Sequence, residues 1–169
     1  MSHAVASRTF TFCAAHRLHF HGGDCQNLHG HTYSVTISFG GQYVGDMVLD
    51  LMEMKLICED IHRDLDHSVL VHEDDKELLE LVKNLSTSKG PQRYFLVEKW
   101  MGSSTSLETL CYLIKTRFYR ILSLSAKKNK IYFNRISVRV SESPSAYVER
   151  TWDIIEREWN EDEQSHDNP

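Results

Sequence analysis

Alternation of apolar and polar residues dominates both ends of the chain, and a three-to-four-residue period dominates its middle. Phe10, Phe12 and Ala14 recur at every second position and share that parity with His16, which predicts a half-buried strand over 4–16. Tyr33, Val35, Ile37 and Phe39 repeat in step with His29 and His31, predicting a second strand over 29–41 that Gly40-Gly41 closes. A turn and a third short strand are expected over 42–50. From Leu51 the period changes. Leu51, Met54, Ile57, Cys58, Ile61 and Leu65 form one apolar stripe, so 51–65 reads as an amphipathic helix. Leu78, Leu79, Leu81, Val82 and Leu85 predict a short second helix, Lys89-Gly90-Pro91 a turn, and 93–98 a strand. The strongest stripe is Leu107, Leu110, Cys111, Ile114, Phe118 and Ile121, a helix over 106–123 opened by Ser104-Thr105-Ser106. Thr105 and Glu108 have the spacing of a capping box. Over 130–141, Ile136, Val138 and Val140 alternate cleanly, but Ile131 and Phe133 are out of step, so a bulge is expected near Asn134. A last strand covers 146–152. The pattern predicts an α+β fold: one four-stranded antiparallel sheet with the two main helices, 51–65 and 106–123, packed on one face.

Composition narrows the class. A chain of 169 residues, 41% hydrophobic and 25% charged, is large enough for one domain with its own core. The acidic end, about 160–169, reads as a disordered tail. A formal charge of −5 gives no basic footprint for nucleic acid. No apolar run approaches the roughly 18 residues of a membrane span, and the first ten residues lack an apolar signal core. Four scattered cysteines without a CxxC pair fit a reduced, cytoplasmic setting.

The chemistry concentrates between residues 10 and 37. In a strand, residues two apart share a face, so His29 and His31 aim the same way while Gly30 turns to the other side and leaves room for a neighbouring strand. A paired strand would bring His16 to them. Three imidazoles are a ligand set for divalent zinc that leaves a fourth position open. Cys25 lies between the strands in an exposed loop of Gly22, Gly23, Asp24 and Gln26. A thiol close to a cation gains thiolate character, which makes Cys25 a candidate base or nucleophile. His19 and His21, in the same loop, read as solvated. Further on, Asp66-His67 follows the first helix, and a carboxylate beside an imidazole is a candidate proton-transfer pair. No HExxH pattern and no Gly-rich dinucleotide motif occurs.

The ordered set FxFxAAHRL followed by CxxxHGHxY resembles the signature of the 6-pyruvoyl-tetrahydropterin synthase and 6-carboxytetrahydropterin synthase superfamily. The resemblance implies a tunnelling fold, in which 72–103 is an insertion relative to the compact members, and action on 7,8-dihydroneopterin triphosphate. It gives His16, His29 and His31 the role of zinc ligands and Cys25 that of catalytic thiol. Leu65-Asp66-His67 with Leu70 resembles the family's LDHxxL motif, which would complete a catalytic Cys, Asp and His set. Val140, Glu142 and Pro144, followed by Ser145, Ala146 and Tyr147, resemble the segment whose glutamate anchors the pterin ring. A carboxylate can accept two parallel hydrogen bonds from the 2-amino and N3 groups of such a ring. Ser106 and Glu108 resemble the family's PTxEnL segment near the pterin, although the proline is absent and serine replaces threonine. Three residues separate Cys25 from His29. That spacing is similar to the carboxy-forming enzymes of the queuosine pathway, which release acetaldehyde; the pyruvoyl-forming branch is the first rival. A non-catalytic metal- or pterin-binding protein is the second, and the presence of Cys25, Asp66 and His67 argues against it. A zinc hydrolase with another substrate is the third. The resemblance also implies trimers whose sheets join into a barrel, two trimers forming a hexamer, and active sites at subunit interfaces.

Overall fold

A computed structural model of the chain describes residues 3–42, 50–129 and 133–154. Strand β1 (His3–His16) and strand β2 (His29–Gln42) form a long antiparallel hairpin in which His16 pairs with His29 and Ala14 with His31. The connection between them holds a single 3₁₀ turn, Asp24–Gln26. Helix α1 (Leu51–Leu65) begins where the side chain of Asp50 accepts a hydrogen bond from the Met52 amide. It buries Met54, Ile57, Cys58, Ile61 and Leu65, the stripe read from the sequence. The expected short strand over 42–50 lies almost wholly outside the described residues.

The next segment departs from the expected sheet. After α1 come strand β3 (Ser68–His72), helix α2 (Lys76–Asn84), a two-residue hairpin of β4 (Ser86–Thr87) and β5 (Gly90–Pro91), and strand β6 (Tyr94–Val97). Helix α3 (Leu107–Asn129) then leads to strands β7 (Phe133–Ser143) and β8 (Ala146–Asp153). The main sheet has six strands, not four, in the order β6-β3-β1-β2-β7-β8. Its antiparallel part, β1-β2-β7-β8, is the expected sheet. Strands β3 and β6 extend it in parallel alongside β1. All five residues of β3 are buried, so it lacks the alternation that marks a half-exposed strand.

One face of the sheet carries the core. Phe12, Ala14, Tyr33, Val35, Ile37, Phe39, Ile136, Val138 and Val140 meet the buried sides of α1 and α3. A smaller cluster forms on the other side of β3, where Val69 and Val71 meet Leu78 and Val82 of α2, so one helix lies on the face opposite the two long ones. The rest of that second face is polar, with hydroxyl pairs such as Ser7–Ser38, Thr9–Thr36 and Ser137–Thr151 crossing between strands. The bulge expected near Asn134 is present. The register steps from Gly40↔Arg135 to Gly41↔Phe133, which leaves Asn134 without a partner in β2. Cys58 and Cys111 are buried, as their helix positions imply, and all four cysteines are free. No helix among the described residues is long and apolar enough to cross a membrane.

Candidate metal centre and catalytic cleft

The hairpin register brings the three imidazoles to one end of the sheet. His16 and His29 are direct cross-strand partners, and His31 shares their face two residues on. One ligand atom from each of the three lies within 4.8 Å of the others. Backbone carbonyls orient two of the rings: His16 Nδ1 lies 3.0 Å from the Thr105 oxygen, and His29 Nδ1 lies 2.7 Å from the Asn27 oxygen. A carbonyl only accepts, so both rings carry their proton on Nδ1 and keep a bare Nε2. His16 is 3% exposed, and its Nε2 is buried with no partner among the described residues. Burial, reinforced by the neighbouring His29 and His31, lowers the His16 pKa to about 4 although the Thr105 carbonyl pulls the other way. The ring is neutral at neutral pH, the form a cation needs. Three convergent imidazoles with a buried, unpaired nitrogen fit a divalent metal with an open coordination position.

The loop between the strands is tied down at its start. Arg17 makes two hydrogen bonds to Asp75, at 2.6 and 2.7 Å, and a third to Glu77 at 2.7 Å. Burial alone would raise the Asp75 pKa, but the Arg17 guanidinium and the Leu78 amide hold it below the usual carboxylate value. Thr105 Oγ1 donates to the Arg17 carbonyl, so the segment before α3 holds both the His16 ring and the backbone of the residue after it. This is not the expected capping box. Ser106, not Thr105, turns its hydroxyl toward the first turn of α3, 3.4 Å from the Thr109 amide. Glu108 is exposed in that turn, and its carbonyl accepts from Arg150. Gly102 is needed where this segment meets α3, because a Cβ there would stand 2.2 Å from Thr109 Oγ1. His19 corrects another expectation. Its ring stacks on buried His72 with centroids 5.6 Å apart, and its Nδ1 is buried, whereas His21 is exposed.

Asp66 and His67 close the gap between α1 and β3. Asp66 Oδ2 lies 2.6 Å from His67 Nδ1, while its Oδ1 accepts from the Cys13 amide at 2.8 Å. His67 in turn donates its own amide to the Cys13 carbonyl. The Cys13 amide, and then the His67 ring, hold the Asp66 pKa below the usual carboxylate value against the opposing effect of burial. Asp66 is therefore ionised at neutral pH. His67 sits in the left-handed region, φ 55°, a conformation that costs about 1–3 kcal/mol and turns its mostly exposed ring outward.

A cleft of about 420 Å³ is lined by Cys13, Ala15, Gly30 and Thr32, whose parity places them on the second face, together with Ala14, His31, His67 and Ser68. Of the three convergent histidines only His31 borders it, and its ring shares the opposite face with those of His16 and His29. Gly30 serves this cleft. A Cβ on it would meet only the Ala14 carbonyl at 3.5 Å, an ordinary contact, so strand approach does not require glycine there. Cys25 lies half-buried in the 3₁₀ turn and is not among the lining residues; the thiol that lines the cleft is Cys13. Glu142 stands at the irregular end of β7, with Oε2 3.8 Å from His31 Nε2 of the same chain. Sequence reading gave Cys13 and Tyr33 no place at the site and took Thr105 for a helix cap. The parity of Cys13, opposite to that of His16, is the signal that could have placed it on the second face. Tyr33 is fully buried, and burial and then the charge of Glu142 push its pKa far up, so the phenol stays protonated.

A sequence model of the family described as 6-pyruvoyl tetrahydropterin synthase matches residues 6–152. The chain belongs to this family. Its curated relatives include the 6-carboxy-5,6,7,8-tetrahydropterin synthase of Rickettsia conorii, 28% identical over 146 residues that cover 85% of this chain and 96% of the relative. The protein of the same name from Haemophilus influenzae is 32% identical over 90 residues, covering 48% of this chain and 64% of the relative. Among solved structures, a catalytic-residue mutant of Plasmodium vivax 6-pyruvoyltetrahydropterin synthase superposes with a TM-score of 0.70 at 20% identity, covering 91% of this chain and all (100%) of that one. The Caenorhabditis elegans 6-pyruvoyl tetrahydropterin synthase gives 0.59 at 18% identity, covering 92% and 98%. At these identities the structural likeness establishes the α+β fold and no more.

Proposed function

We propose that this tetrahydropterin synthase is the zinc-dependent, carboxy-forming type. It converts 7,8-dihydroneopterin triphosphate to 6-carboxy-5,6,7,8-tetrahydropterin with loss of triphosphate and acetaldehyde, a step of 7-deazapurine (queuosine) synthesis. The observation that carries the reading is the convergence of His16, His29 and His31 in a chain that the family model matches over residues 6–152. The names of the curated relatives favour the carboxy branch over the pyruvoyl one.

His16, His29 and His31 would hold the metal. Bound there, zinc supplies Lewis-acid polarisation of the oxygens on the substrate side chain. The remaining work falls to the chain's own groups. Cys25, as thiolate, takes a proton from a side-chain carbon. His67 shuttles protons from the other side through Nε2, while ionised Asp66 fixes its Nδ1–H and stabilises its cation. Glu142 accepts two hydrogen bonds from the 2-amino and N3 groups of the pterin, with Ser106 and Glu108 as further contacts. The outer edge of β8, unpaired among the described residues, and the exposed polar face of the sheet support assembly into joined sheets, a homohexamer built as a dimer of trimers, in the cytoplasm. We read the chain as a single domain throughout.

The pyruvoyl-forming reaction is the second reading, favoured by the description of the family model. Mass analysis of products from dihydroneopterin triphosphate separates the two. The carboxylated pterin with acetaldehyde supports the proposal, the pyruvoyl product replaces it with the alternative, and untouched substrate rejects both.

A further inference from the structure

Tyr33 has no exposed surface, and its hydroxyl has no hydrogen-bond partner among the described residues. A buried polar atom left unpaired is costly, and such atoms in folded proteins need an explanation. Packing supplies none. The ring stacks on Phe12 with centroids 4.9 Å apart, which a phenylalanine would do equally well. Position is more informative. Tyr33 follows His31 by two residues on the same strand face, with its ring 5.5 Å from His31 and 5.8 Å from His16. The last paired position of β2 and β7 is Ser34↔Ser141, so one step further along the register Tyr33 stands opposite Glu142. Tyr33 has the parity of the buried face, and the Glu142 carboxylate comes within 3.8 Å of His31 on that face although the β7–β8 register shifts at Glu142.

We infer that Tyr33 is a positioning residue, whose hydroxyl donates a hydrogen bond to the Glu142 carboxylate when a pterin ring is held there. The inference rests on the pterin reading above. A carboxylate offers about four lone-pair directions, so it can accept from two ring donors and from a phenol at once. Glu142 Oε2 lies 3.8 Å from His31 Nε2, beyond hydrogen-bond distance, so that ring does not fix the carboxylate. A donor on the neighbouring strand would set its direction toward the pterin ring. The neutral phenol is therefore held in reserve, costly in the empty protein and satisfied in the loaded one.

The test is Tyr33→Phe in the zinc-loaded protein, with zinc content, melting temperature without ligand, and affinity for two probes. The probes are 7,8-dihydroneopterin and the matching lumazine, in which oxygen replaces the 2-amino group that Glu142 would recognise. The expected result is unchanged zinc, an unchanged or higher melting temperature, and a dissociation constant for the pterin weakened about tenfold, the loss of one hydrogen bond to a charged group. Lumazine affinity stays as in the wild type. A fall of several degrees in melting temperature makes the hydroxyl structural and overturns the inference. So does an unchanged pterin affinity, or an equal loss for both probes, which would mean that Tyr33 does not act through Glu142. Wild-type protein that binds neither probe overturns the functional reading itself, and this inference with it.

Discussion

Acidifying the metal-stripped protein should unfold it through His16 more than through any exposed histidine. Its ring is 3% exposed, with Nδ1 bound to the Thr105 carbonyl and a bare Nε2 facing His29 and His31, and its pKa is lowered from 6.5 to about 4. Above pH 6.5 the ring is neutral in both folded and unfolded chains and contributes nothing to the pH dependence. Below that value the unfolded chain takes up a proton that the folded one refuses, so stability falls until the pH reaches about 4. At about 1.4 kcal/mol for each pH unit, the loss over that window comes to about 3 kcal/mol, a large share of the stability of a domain of this size. Urea unfolding of the stripped wild type and of His16→Gln, at several values between pH 4 and 7, isolates this contribution from the carboxylates. The variant should be the less stable at pH 7 and should gain on the wild type by about 3 kcal/mol on going to pH 4. A difference between the two that stays flat across the window would mean that His16 is not held neutral, and the argument for a ligand-ready triad would lose its electrostatic support.

The other expectations concern the cleft and its supports. Cys25→Ala should abolish turnover of dihydroneopterin triphosphate while zinc content persists, and Cys13→Ser should retain turnover; the reverse pattern would move the reactive thiol to Cys13, which lines the cleft. Glu142→Ala should raise KM with a smaller effect on kcat, because the ring loses a charge-assisted anchor, and steady-state kinetics showing an unchanged KM would reject that role. Gly102→Ala should cost about 1–3 kcal/mol in urea unfolding, since its Cβ would stand 2.2 Å from Thr109 Oγ1; wild-type stability would show that the segment before α3 yields freely.

Legibility in the sequence followed the physics of each element. The hairpin was readable because β1 and β2 each bury one face, so period-two alternation and the parity of His16, His29 and His31 are the same fact seen twice. The stripes of α1 and α3 were equally plain, and the phase slip at Phe133 marked the bulge at Asn134. What failed lay where burial is two-sided or where contacts are distant in sequence. Strand β3 is buried on both faces, so Ser68–His72 has no alternation to detect; without it the expected strand over 93–98, which forms β6, had no partner joining it to the sheet. The stacking of His19 on His72 and the grip of Thr105 on His16 join residues more than fifty positions apart, which no local pattern encodes. The pairing of Asp66 with His67 was visible, but its clamping by the Cys13 backbone was not, because that needs β1 and β3 side by side.

The central claim is that His16, His29 and His31 hold one zinc ion, and elemental analysis of protein purified without chelators tests it most directly. The expected result is one zinc per chain in the wild type and none retained in His29→Ala that still folds. Wild-type protein free of zinc, or a variant that keeps its full complement, would contradict the account.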